Sequence, residues 1–138
     1  MIAVLIDTNV VLDYAEEREG FFDVAKNVFE IIEQEKMLGC VSASAVTDIF
    51  YFLQRRYKEP GVAMSLLKKL LRNLEVLTVN RQTIEDAIES GMPDFEDAVQ
   101  AAAAQDFGID VVVTRDKAGF GDSGLQVYSP EEFLETLK

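Results

Sequence analysis

With 138 residues, 49% of them hydrophobic, the chain is long enough to build one domain around its own core. It has no His and a single Cys, Cys40, which excludes Ser-His and Cys-His nucleophile pairs, His-ligated zinc and an internal disulfide. Its 25 Asp and Glu against 13 Lys and Arg give a net charge of −12, which leaves carboxylate chemistry open and disfavours non-specific binding to polyanions.

The first element expected is a buried strand, Ile2–Ile6, a short apolar run broken by Asp7. That run is too short for a signal peptide and has no basic segment before it, and no stretch approaches the ~20 apolar residues of a membrane span. With one unpaired thiol, a cytoplasmic location is expected and no membrane partner. Val10–Glu17 reads as a short helix. Phe22, Ala25, Val28, Phe29 and Ile32 recur at helical spacing and predict a second helix over 21–36. Met37–Val41 reads as a strand, and Ser42 or Ser44 can cap the helix that follows to residue 57, with its core stripe on Val46, Ile49, Phe50 and Leu53.

Pro60 then opens a helix over Val62–Asn73, and Val76–Val79 reads as the third strand. Thr83–Ser90 is helical and stops at Gly91. Asp94 caps a helix running to about Phe107, and Val111–Val113 is a fourth strand. Residues 117–124 read as a glycine-rich loop, Leu125–Tyr128 as a last strand, and Ser129-Pro130-Glu131-Glu132 as the start of a terminal helix. Strands alternating with helices predict a single α/β domain over residues 1–138, a three-layer α/β/α sandwich with a mostly parallel central sheet.

In open parallel sheets, sites form beyond the carboxyl ends of the strands. Asp7 directly follows the first strand, and Asp116 follows the fourth in Thr114-Arg115-Asp116. Asp97 lies in the first turn of the 94–107 helix, and Asp48 about one turn inside the 44–57 helix. Each has an ordinary structural reading as well: Asp7 as a cap, Asp97 as a partner of the helix dipole, Asp116 as a turn residue. Asp48 is harder to place that way, because Asp is a poor helix former beside an apolar stripe. Asp13, Asp106, Asp110 and Asp122 are expected as surface or loop acids. Four clustered carboxylates would repel one another, a cost that a divalent cation removes, and oxygen ligands alone suit Mg²⁺ or Mn²⁺ rather than zinc. Residues 55–81 carry seven basic and two acidic residues, a local +5 that leaves −17 elsewhere. This is a solvated helix face or a track for RNA.

The ordered set of segments resembles the PIN-domain family over nearly the whole chain, and most closely its VapC-like toxins. Val4-Leu5-Ile6-Asp7-Thr8-Asn9-Val10 with Asp13 is similar to the family's opening, Ser44–Asp48 to the segment supplying a second acid, Asp94–Ala101 with Ala102–Ala104 to the helix supplying a third, and Val113-Thr114-Arg115-Asp116 to that supplying a fourth. The resemblance implies a Mg²⁺- or Mn²⁺-dependent endoribonuclease with Asp7, Asp48, Asp97 and Asp116 as catalytic acids. Asp7, Asp97 and Asp116 would hold metal, and Asn9 and Thr114 would orient them. Arg55, Arg56 and Arg115 are the candidate RNA contacts. It also implies a cognate antitoxin partner and a homodimer. Two positions depart from the family: Asp48 stands where Glu is usual, and Gly119 stands before Phe120 where an acid is frequent. These departures keep open a catalytically silent PIN-like metal- or RNA-binding domain. An aspartyl-phosphate enzyme would need a second Asp where Asn9 stands, and DNA cleavage would need further modules to grip a duplex.

Overall fold

A computed structural model describes all 138 residues. In chain order the elements are β1 (Ala3–Ile6), α1 (Thr8–Ala15), α2 (Phe22–Glu33), β2 (Leu38–Ser42), α3 (Ala43–Arg56), α4 (Val62–Leu71), β3 (Leu74–Leu77), α5 (Arg81–Glu89), α6 (Phe95–Asp106), β4 (Val111–Val113), a short 3₁₀ turn (Ala118–Phe120), β5 (Gln126–Tyr128) and α7 (Pro130–Thr136). The strands form one sheet in the order β3-β2-β1-β4-β5, and every pairing is parallel.

Because side chains alternate along a strand, the sheet divides its apolar residues between two cores. Val4, Ile6, Val41, Leu74, Val111 and Val113 pack with α1, α2, α3, α4 and α7 on one face. Leu5, Cys40, Leu77 and Val112 pack with α6 and Phe120 on the other, where Ala87 of α5 also meets Ala98, Val99 and Ala102 of α6. The expected three-layer sandwich is thus present, with the sheet wholly rather than mostly parallel. No helix is long and apolar enough to cross a membrane.

Local differences from the expectations have physical causes. β3 begins two residues early, at Leu74, because it is an edge strand: Leu74 and Leu77 reach opposite cores while Glu75 and Val76 stay exposed. The glycine-rich loop holds a 3₁₀ turn that buries Phe120 completely. α1 starts at Thr8, capped by the Asp7 side chain. Asp13 is not a surface acid. It lies on the inner side of α1 at 1% exposure, because Arg115 reaches it from the far end of β4.

Candidate active site

The order β3-β2-β1-β4-β5 places the two strands whose crossovers diverge, β1 and β4, side by side at the centre of the sheet. Their carboxyl ends open a crevice there. Asp7 and Thr114 are the residues that follow them. The sheet ladder continues one step beyond both strands, through Asp7 N–H to Val113 C=O at 3.0 Å and Thr114 N–H to Tyr128 C=O at 2.9 Å. Both residues are therefore held as firmly as the sheet itself.

Thr114, fully buried, links two of the acids. Its hydroxyl donates to Asp7 Oδ2 at 2.7 Å and accepts from the Asp116 backbone N–H at 2.9 Å. Asp7 Oδ1 accepts from Thr8 N–H at 2.8 Å. Asn9 Oδ1 accepts from the Arg115 N–H at 3.3 Å, and its amide approaches the Thr114 hydroxyl at 3.5 Å. Arg115 lays its guanidinium 3.9 Å over the Phe21 ring and bonds both oxygens of Asp13, at 2.6 and 3.0 Å. Asp116 is exposed and turns its Oδ1 to the Gly119 N–H at 3.2 Å.

α6 supplies the opposite wall. Asp94 caps it, accepting from the Asp97 N–H at 2.9 Å, which sets Asp97 in the first turn facing the crevice. Gly119 closes the gap between Asp97 and Asp116. A Cβ placed on it would lie 2.7 Å from Asp97 Oδ2 and 2.7 Å from Asp116 Oδ2, so the two oxygens are within twice that distance of each other.

The electrostatics show which acids share the crevice. Asp97 is pushed up to about 7, first by burial and then by the charges of Asp7, Asp94, Asp116 and Glu96. Burial also raises Asp7, against hydrogen bonds from Thr114, Thr8 and the Gln100 amide, and the Asp116 charge adds to the rise. Asp48 is not among the charges that raise Asp7 or Asp97. It is half-buried on α3, and its charge is the main cause of the upward shift of Glu96 on the rim. No three acids or thiols are gathered tightly enough to enclose one ion as they stand, and the carboxylates converge without closing.

Three of the four predicted acids therefore come together, with Asn9 and Thr114 bonded among them, while Asp48 is near enough to Glu96 to raise it but is not among the charges that raise Asp7 or Asp97. Arg55 and Arg56 are exposed at the end of α3, their guanidinium groups 5.6 Å over Tyr51 and 5.0 Å over Tyr57. The residue types alone did not single out Glu96, the Asp13–Arg115 pair or Gln100. A signal for Gln100 was available, since it is the one polar residue from Ala98 to Ala104 and sits three after Asp97, on the same helix face.

Comparison with known proteins bears on this crevice. The chain is 27% identical over 137 residues to Ribonuclease VapC1 of Aquifex aeolicus (strain VF5), covering 96% of this chain and 93% of that protein. Among solved structures, VapBC2 from Rickettsia felis, bound to a DNA fragment from its promoter, superposes with a TM-score of 0.71 at 14% identity over 93% of this chain and 98% of that one. Mycobacterium tuberculosis VapC20, a toxin that cleaves the sarcin-ricin loop, superposes with a TM-score of 0.63 at 18% identity, covering 79% and 86% of the two chains. The model of the PIN domain matches residues 3–118, a stretch that holds β1, β4 and all four predicted acids, and the chain belongs to the PIN-domain family.

Proposed function

We propose that the protein is a divalent-metal-dependent endoribonuclease, the toxin of a toxin–antitoxin pair, with Asp7, Asp97 and Asp116 carrying the site. The observation that supports this most directly is the meeting of those three acids, from β1, α6 and the segment after β4, on either side of a glycine that leaves the space between two of them open. The residues fit a hard cation: they offer only oxygen, burial and then the neighbouring negative charges raise Asp97 to about 7, and a side chain at Gly119 would fill the cradle. Mg²⁺ or Mn²⁺ is the assignment this donor set favours.

Held by Asp7, Asp97 and Asp116, such a cation would polarise a phosphate oxygen and would lower the pKa of a water, so that hydroxide is available near neutral pH. The protein's part is to hold the oxygens ready. Asp7 is fixed by Thr114 and Thr8, Asp116 by the same Thr114 and by Gly119, and Asp97 by the Asp94 cap. Arg115 is committed to Asp13 and Phe21, so we assign it to positioning Asp116 rather than to gripping RNA. Arg55 and Arg56 extend along α3 from Asp48 toward solvent and are the proposed RNA contacts.

For the antitoxin we propose the apolar groove between α1, α2 and α4, a cavity of about 320 Å³ lined by Tyr14, Phe22, Phe29, Leu66 and Leu70. Glu17 and Glu33 also line it, with Lys69 as the one cation, and this net negative lining suits an amphipathic helix with basic flanks.

The test is sequencing of RNA ends after incubation with purified protein in EDTA, Mg²⁺ or Mn²⁺. Metal-dependent cleavage that disappears in Asp7→Asn is expected, and full cleavage by Asp7→Asn preparations free of host nuclease refutes the assignment. Asp48, shorter by one methylene than the Glu usual at this place in the family, favours a second reading, a catalytically silent metal- or RNA-binding domain. Metal binding without cleavage under any divalent ion selects it.

A further inference from the structure

Gln100 Oε1 is the one side-chain oxygen or nitrogen in the molecule that is buried without a hydrogen-bond partner. Gln100 is only 5% exposed and lies on α6 one turn beyond Asp97, with its side chain close enough to the Asp7 carboxylate to oppose that group's upward shift. An ionised carboxylate only accepts, so the amide must present N–H to Asp7, and its oxygen is the atom left over. A buried carbonyl without a donor is unfavourable, and the rest of this helix face is alanine and valine, which would pack without that penalty. Packing alone therefore does not account for a glutamine here. Amide oxygens are good neutral ligands for hard divalent cations.

Resting on the metal-dependent reading above, we infer that Gln100 is a member of the cation site: its N–H orients Asp7, and its Oε1 contributes a neutral oxygen to the coordination shell of the ion. A neutral donor adds no charge to a crevice where Asp7 and Asp116 share Thr114 and Asp116 faces Asp97 across Gly119. A further carboxylate at position 100 would add to their repulsion whenever the ion is absent.

The test uses Mn²⁺ alone as the probe, with affinity read by calorimetry or electron paramagnetic resonance on the intact protein. Thermal stability in EDTA is measured in parallel. Gln100→Leu and Gln100→Met are expected to melt within a few degrees of the parent in EDTA, since removal of the orphaned oxygen offsets loss of the N–H to Asp7, and to bind Mn²⁺ about 10- to 100-fold more weakly. Gln100→Glu restores an oxygen, so it is expected to bind Mn²⁺ at least as tightly as the parent while losing stability in EDTA. Parental Mn²⁺ affinity in both apolar variants would overturn the role of Gln100 and leave the metal-dependent reading standing. A parent protein that binds no Mn²⁺ would overturn both. Should the apolar variants fail to fold, Gln100→Asn decides: it keeps the amide but draws it back by one methylene, so Mn²⁺ affinity at least about tenfold below the parent supports the inference and parental affinity overturns it.

Discussion

Gly119 acts through the side chain it lacks. A Cβ there would stand 2.7 Å from an oxygen of Asp97 and from one of Asp116, closer than non-bonded atoms tolerate. Both oxygens are the far ends of short, rotatable side chains, so without an ion they can swing away. With an ion between them they cannot. Gly119→Ala is therefore expected to melt within a few degrees of the parent in EDTA yet lose at least about tenfold in Mn²⁺ affinity, a split that calorimetry and thermal melts resolve. The family's frequent acid before the phenylalanine is replaced here by the residue that keeps this space open. Asp97 yields a second prediction at the same scale. Its value of about 7 in the folded chain lies above the ordinary 3.8, so between those values the folded chain holds a proton that the unfolded chain has released. Its contribution is fully stabilising below the lower value and is lost as pH rises through the upper one. Asp7 is shifted in the same direction. In EDTA the melting temperature should rise as pH is lowered from about 8 to about 5. Asp97→Asn should flatten that slope and be the more stable protein at the alkaline end. Saturating Mg²⁺ should stabilise the parent most where the carboxyls are already ionised, which reverses the trend.

Between elements, the contact that fixes the site runs from α1 to the end of β4. Asp13 at 1% exposure receives two bonds from Arg115 and a longer approach, 3.6 Å, from Arg18. Removing one partner of a fully buried ion pair costs about 3–5 kcal/mol. The Arg115 side chain is 31% exposed, so Asp13→Ala is expected to destabilise by about 2 kcal/mol, measured by urea unfolding. It should also weaken Mn²⁺ binding, because the released Arg115 no longer anchors the neighbouring Asp116. Unchanged urea stability in that variant would mean the pair is not structural. This pair also marks the limit of what the residues announced. The strand and helix order, the Asp94 cap and the places of Asp7, Asp97 and Asp116 were legible, because each depends on local patterning or on the rule that sites form at strand ends. That Asp13 is buried was not, since the partner that bonds both its oxygens is 102 positions away, and the nearby Arg18 reads in sequence as the partner of a surface acid. β3 was misplaced by two residues for a related reason: an edge strand shows one buried residue at each end and no alternation between them.

At the scale of the whole molecule, the question is how a chain of net charge −12 handles a polyanion. The excess of +5 over residues 55–81 is exposed at every one of its seven cations, from the last turn of α3 through α4 to the start of α5. Neutralising phosphates releases condensed counterions, so affinity for single-stranded RNA falls with salt at a log–log slope of about −0.7 per phosphate contacted. The acidic remainder opposes this trend. Its repulsion of RNA is also screened by salt, and the observed slope should be shallower than the number of contacts implies. The absolute slope is therefore a poor count, and the change on mutation is the informative quantity. With Asp7→Asn as a non-cleaving background, Arg55→Ala and Arg56→Ala together should weaken RNA binding and make the slope shallower by about 1.4, or about 0.7 for each arginine that meets a phosphate. Lys68→Ala and Lys69→Ala, on α4 and farther along the chain from Asp48, test whether the track continues. A loss of affinity with no change in slope would mean that the arginines act through Tyr51 and Tyr57, over which they lie, by holding those rings against bases rather than by meeting phosphate themselves.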